Sequence, residues 1–164
     1  MGHPRVLVAG VGNIFLGDDG FGVEVIQRLA RETVPDWVHM EDFGIRGIHL
    51  AYDIYDSDYD GLILVDASPR GGTPGTVYLI EIDLKNQTTA DAADAHGMNP
   101  EAVFALLRSF GKFPPRVWLV GCEPAQLEEE MGLSQPVQQA VDEAVKVILR
   151  LMREGDVTRP ITRL

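Results

Sequence analysis

Carboxylates and an imidazole, the side chains that hold divalent cations, stand in this chain where apolar segments give way to turns. Asp18 and Asp19 lie in "GVGNIFLGDDGFGVEV", Asp66 closes "LILVDA", and His96 sits in "DAADAHGMN". Two carboxylate oxygens and one imidazole nitrogen make an open site for a divalent transition ion. Each residue also has a plainer reading. Asp19 can cap the helix that follows it, accepting bonds from the first free N–H groups. Asp66 can start a turn, and a lone loop histidine such as His96 is more often a surface residue than a ligand. Capping accounts for one acid of the adjacent pair and leaves the other unexplained. The turn that carries the pair is also pinned by Gly10, Gly12, Gly17, Gly20 and Gly22, a density that suits backbone which something approaches closely.

The same turn argues against two other chemistries. A dinucleotide fingerprint places G-x-G-x-x-G at the first strand-to-helix turn. Gly10 and Gly12 fit, but Phe15 stands where the third glycine belongs. Paired aspartates would compete with a phosphate for the N–H groups of the helix start and repel it. The Lys-Ser/Thr pair of a P-loop is missing as well, so a nucleotide-binding Rossmann-like module is the lesser alternative. A cysteine hydrolase would use Cys122, the single cysteine, with His96. No helix start follows Cys122 to lower its pKa, and a lone cysteine is usually a small core residue.

Strands are predicted over 5–10, 37–43, 61–67, 76–82 and 116–122, and helices over 20–32, 48–56, 100–110 (with Asn99 as N-cap) and 135–153. The order βαβαββαβα, with continuous apolar strands, implies an α/β fold: a mostly parallel sheet with helices on both faces. About eight residues separate the third and fourth strands, too few for a helical crossover, so one strand is expected to be antiparallel at an edge. In such sheets ligands bind at the carboxyl ends of the strands, where the strand order reverses. If the first and third strands flank that point, Asp19 and Asp66 face one crevice.

The 164 residues suit one domain spanning 1–164. A net charge of −11 and a pI near 4.6 argue against nucleic-acid and anionic-membrane partners. No signal peptide is visible and no apolar run approaches the ~20 residues that span a bilayer. With one cysteine no internal disulfide can form, and the expected location is the cytoplasm.

Together, "GVGNIFLGDDGFGVEV", "LILVDA" and the His96 loop resemble the maturation endopeptidases of [NiFe] hydrogenases, and "VGCEP" and "GLSQPV" extend the similarity through nearly the whole chain. The resemblance implies a compact three-layer sandwich with a five-stranded twisted sheet. It implies removal of a short C-terminal extension from a [NiFe]-hydrogenase large-subunit precursor after nickel insertion. The residues that match the family's nickel-binding acid, aspartate and histidine are Asp19, Asp66 and His96, with Asp18 as a supporting or capping acid. The nickel is expected to come with the substrate, so no permanently bound cofactor is expected, and the protein is expected to be a monomer. A non-catalytic factor that recognises a metal centre during assembly is the alternative. One departure stands out. The family's Asp-Gly-Gly-Thr-x-Gly loop here reads Asp42-Phe43-Gly44-Ile45-Arg46-Gly47. In a loop that touches the substrate, Phe43, Ile45 and Arg46 are the residues expected to tune which precursor is accepted.

Overall fold

A computed structural model describes residues 4–85 and 100–154. Among them run β1 (Val6–Val11), α1 (Phe21–Leu29), β2 (Val38–Gly44), α2 (Gly47–Asp56), β3 (Gly61–Ala67), β4 (Val77–Ile82), α3 (Pro100–Phe110), β5 (Arg116–Cys122) and α4 (Gln135–Glu154). A single 3-10 turn, Gly17–Gly20, leads into α1. Every expected element is present, within three residues at each boundary. The largest difference is the end of α1. There the ladder tightens to i→i−3 bonds, Arg31 N to Arg28 O and Glu32 N to Leu29 O, as helices do when they run out before a proline. The proposed cap Asn99 lies outside the described residues.

The sheet order is β2-β1-β3-β5-β4. Four strands are parallel, and β4 runs antiparallel to β5 at the edge. The short β3–β4 link does not make a hairpin. It passes over the end of β5, which fills the place between the two strands. Because side chains alternate along a strand, the sheet feeds two cores. Val6, Val8, Ile63, Val65 and Val120 pack with Phe21, Leu29, Val141 and Ile148 of α1 and α4. Leu7, Ala9, Leu62, Leu64 and Leu119 pack with Leu50, Ile54, Phe104 and Leu107 of α2 and α3. β1 and β3 are buried along their whole length, the physical reason their sequences are nearly unbroken apolar runs. The result is an α/β/α sandwich. No helix among the described residues is long and apolar enough to cross a membrane.

β1 connects to β2 on one side and β3 joins β1 on the other, so the order reverses between β1 and β3. The start of α1 is wedged into that opening. A β-carbon at Gly22 would overlap the Val65 carbonyl oxygen and sit 2.6 Å from that of Val11, and one at Gly10 would sit 2.5 Å from Ile26 Cγ1. The glycine density of the turn therefore answers to the protein's own helix, which comes down directly onto two strand ends.

Candidate active site

The adjacent aspartates face opposite ways. Asp19 is half-buried, and its Oδ2 accepts a bond from Asn13 N at 2.8 Å. It does not cap α1, which begins after Gly20 without a side-chain cap. Asp66, 2% exposed at the end of β3, accepts among the described residues only from the next one, Ala67 N to Oδ1 at 2.7 Å. Gly12 lies between the two acids with φ of 136°. A β-carbon there would overlap the Asp19 carbonyl oxygen and stand 3.2 Å from Asp66 Oδ1. Burial pushes the Asp66 carboxyl well above the usual range; the charge of Asp19 pushes the same way, Ala67 N–H opposes, and Glu101 at the start of α3 adds a little more. Burial likewise raises Asp19, against the bond from Asn13. Two carboxyls raised by burial, one of them also by the charge of the other, each accepting one hydrogen bond from the described residues, form a place where a cation would relieve both.

Asp18 is the opposite case. It is fully buried, and Oδ1 accepts from Ser134 N (2.7 Å) while Oδ2 accepts from Ala125 N (2.8 Å), Gln126 N (3.0 Å) and Ser134 Oγ (2.9 Å). Burial alone would raise its pKa, but these bonds to the ionised form outweigh it and hold the carboxyl below its ordinary value. Backbone bonds run beside it, Gly17 N to Glu130 O and Asp18 N to Gln126 O. Asp18 thus clamps the 125–134 segment against the turn that carries Asp19. Nothing in the spacing of Ala125, Gln126 and Ser134 signals this role.

The loop after β2 reaches the same edge. Gly12 N donates to Gly44 O at 2.8 Å. Asp42 Oδ1 accepts from Gly44 N, and Arg46 Nη2 donates to Asp42 O. Ile45 is 59% exposed, whereas Phe43 is 2% exposed and belongs to the α2–α3 core. Of the three residues expected to tune the substrate, Phe43 faces inward and is unavailable for that role.

Cys122 is buried, its Sγ directed at Glu123 O at 3.7 Å. Burial, with the charges of Asp18 and Glu123, pushes its thiol up to about 12, and a buried thiol held protonated argues against a cysteine-hydrolase mechanism. His39 is exposed near the start of β2, paired with Leu7 near the start of β1 and so at the opposite end of the strands from the crevice. His96 lies outside the described residues. Among those described, no three His, Cys, Asp or Glu groups converge as a metal site; Asp19 and Asp66 are the two of the expected three that the structure describes.

The model of the hydrogenase maturation protease family matches residues 23–151. The hydrogenase 2 maturation protease of Escherichia coli K12 is 33% identical over 155 residues, covering 93% of each chain. Among solved structures, the hydrogenase maturating endopeptidase HybD of E. coli superposes with a TM-score of 0.74 at 31% identity, covering 92% of this chain and 93% of its own. The hydrogenase 2 maturation peptidase of a Thaumarchaeota archaeon gives 0.69 at 33% identity, covering 89% and 96%. A family match over residues 23–151, with relatives above 30% identity covered over most of their length, leaves one assignment: this chain belongs to the hydrogenase maturation protease family and is a peptidase.

Proposed function

We propose that the protein is an endopeptidase that removes the C-terminal extension of a [NiFe]-hydrogenase large-subunit precursor once nickel has been inserted, and that Asp19, Asp66 and His96 grip the substrate's nickel. The observation that carries this is the pairing of Asp19 and Asp66 about Gly12 at the point where the sheet order reverses, each carboxyl accepting a single hydrogen bond from the described residues. Such a pair binds a cation in preference to a neutral peptide. The influence of Glu101 on Asp66 puts the start of α3 near the crevice.

With the nickel bound between the acids, the scissile carbonyl is held at a fixed place on the crevice. The ion can polarise that carbonyl or acidify an attacking water, and a carboxylate not on the ion can take the water's proton. A precursor lacking nickel lacks the group the acids hold, which gives selectivity for the metallated form. The test is incubation of nickel-loaded precursor with wild-type protein and with Asp19→Asn, Asp66→Asn and His96→Ala. The expected result is a shortened large subunit with wild type alone. Full cleavage by folded variants would refute the assignment, and binding without any change in precursor size would leave a recognition factor.

A further inference from the structure

The β3–β4 link, which follows the strand that carries Asp66, holds a fixed cation at Arg70. Asp66 pairs in register with Gly121, and a β-carbon at Gly121 would stand 2.7 Å from Ser68 Cβ. The missing side chain lets Ser68 tuck against β5, 7% exposed, with its N–H on Cys122 O. Its hydroxyl then accepts from Arg70 Nε at 2.9 Å. Arg70 is held twice more: its backbone N–H donates to Glu123 Oε1 at 2.9 Å, and its guanidinium lies 5.8 Å from the Tyr78 ring centroid. Glu123, the acid beside it, is taken up elsewhere. Its Oε1 accepts from Gly72 N and from Tyr78 OH as well as from Arg70 N, and no ion pair joins it to the guanidinium. An exposed arginine is therefore anchored through its stem and ring face. No acceptor within the described residues takes its four Nη hydrogens.

That arrangement matters because the surroundings are acidic. The protein carries −11 overall, and its crevice is lined by carboxyls. A C-terminal extension carries at least one carboxylate, its own terminus, and an acid-lined crevice repels it. A pre-ordered guanidinium fork offsets that repulsion and offers bidentate geometry. We infer that Arg70, fixed by Ser68, Glu123 and Tyr78 at the end of the strand that carries Asp66, is a specificity residue that binds a carboxylate of the precursor's C-terminal extension. This rests on the proteolytic reading above. The carboxylate is either the chain terminus or an acidic side chain within the extension.

The experiment measures kcat and KM for cleavage of nickel-loaded precursor by wild type, Arg70→Ala, Arg70→Lys and, as a charge-matched control, Arg31→Ala. A charge-assisted bond at an exposed site corresponds to about a tenfold rise in KM on its loss. The expectation is that rise for Arg70→Ala with kcat little changed, partial recovery in Arg70→Lys, and no effect in Arg31→Ala. Two substrate arms locate the carboxylate: a precursor whose C-terminus is amidated by ligation of a synthetic extension, and one whose extension acids are changed to Asn and Gln. The Arg70 effect should vanish in one of them. Wild-type KM in Arg70→Ala, or an effect that survives in both arms, overturns the inference while leaving the protease reading standing. Failure of wild type to cleave any nickel-loaded precursor overturns the protease reading itself, and this inference with it.

Discussion

Asp18 and Ser134 are 116 positions apart in sequence and joined twice, by Ser134 N on Oδ1 at 2.7 Å and Ser134 Oγ on Oδ2 at 2.9 Å. The carboxylate next to Asp19 is thus a structural tie. Its removal strands three backbone donors and a hydroxyl around a buried site. Asp18→Ala is expected to lower unfolding free energy by roughly 3–5 kcal/mol, and Ser134→Ala by about 1 kcal/mol. Urea titration of the two proteins checks this; a loss under ~1 kcal/mol for Asp18→Ala would contradict the clamp.

The clamp also has a pH signature. The folded-state pKa of Asp18 lies below its ordinary value, so the stability it contributes is complete above the unfolded carboxylate pKa of ~3.9. It is lost as pH falls through the lower folded value. Asp18→Ala should therefore show a flatter acid limb than wild type in thermal melts taken from pH 6 down to 2.5. Parallel limbs would argue against the assignment.

Asp66 carries the reverse sign. Its folded pKa is raised by burial and by Asp19, so ionisation opposes folding at neutral pH, and the penalty is relieved as pH falls through the raised value. Asp66→Asn removes the penalty and should raise Tm by about 2–4 °C for a gain of ~1 kcal/mol, while abolishing cleavage. A variant both less stable and active would contradict the site on two counts. Acids placed for a ligand lower the stability of the free protein.

Gly12→Ala should separate backbone geometry from chemistry. The new methyl would overlap the Asp19 carbonyl oxygen at a φ of 136°, displacing the turn from Asp66, and cleavage is expected to fall about 100-fold or more. Gly111→Ala is the control: φ is 73° and nothing lies within 4 Å of the added carbon. That change should cost only ~1–2 kcal/mol of backbone strain and leave cleavage intact. Equal activities of the two variants would show that the Gly12 contact is irrelevant to the site.

Cys122→Ala should cleave nickel-loaded precursor within about twofold of wild type, and iodoacetamide at pH 7.5 should leave both unaffected, since a thiol with a pKa near 12 stays protonated. Inactivation by alkylation of the folded enzyme would reopen the cysteine mechanism.

The sheet, its edge strand and the crevice between β1 and β3 were readable from residue patterns because burial on both faces leaves unbroken apolar runs, and a link too short for a helix constrains strand direction. Asp66 was readable for the same reason: an acid that ends such a run has nowhere to sit but the strand's carboxyl end. The split in roles between Asp18 and Asp19 was not. It depends on donors from Ala125, Gln126 and Ser134, which meet the turn only after the whole chain has folded. Phe43 shows the converse error, since a loop position read as substrate-facing turned out to be core. Glycine content was ambiguous as well, because a close approach by a ligand and one by the protein's own helix demand the same residue.

At Gly22 the first turn of α1 meets the Val65 and Val11 carbonyl groups with no side chain between them. Main chain rests there on main chain, and neither rotamer change nor repacking can take up slack. The two jaws of the crevice consequently form a gauge of set width. On the proposed function, the adjustments needed for a productive encounter would then fall to the precursor rather than to the crevice.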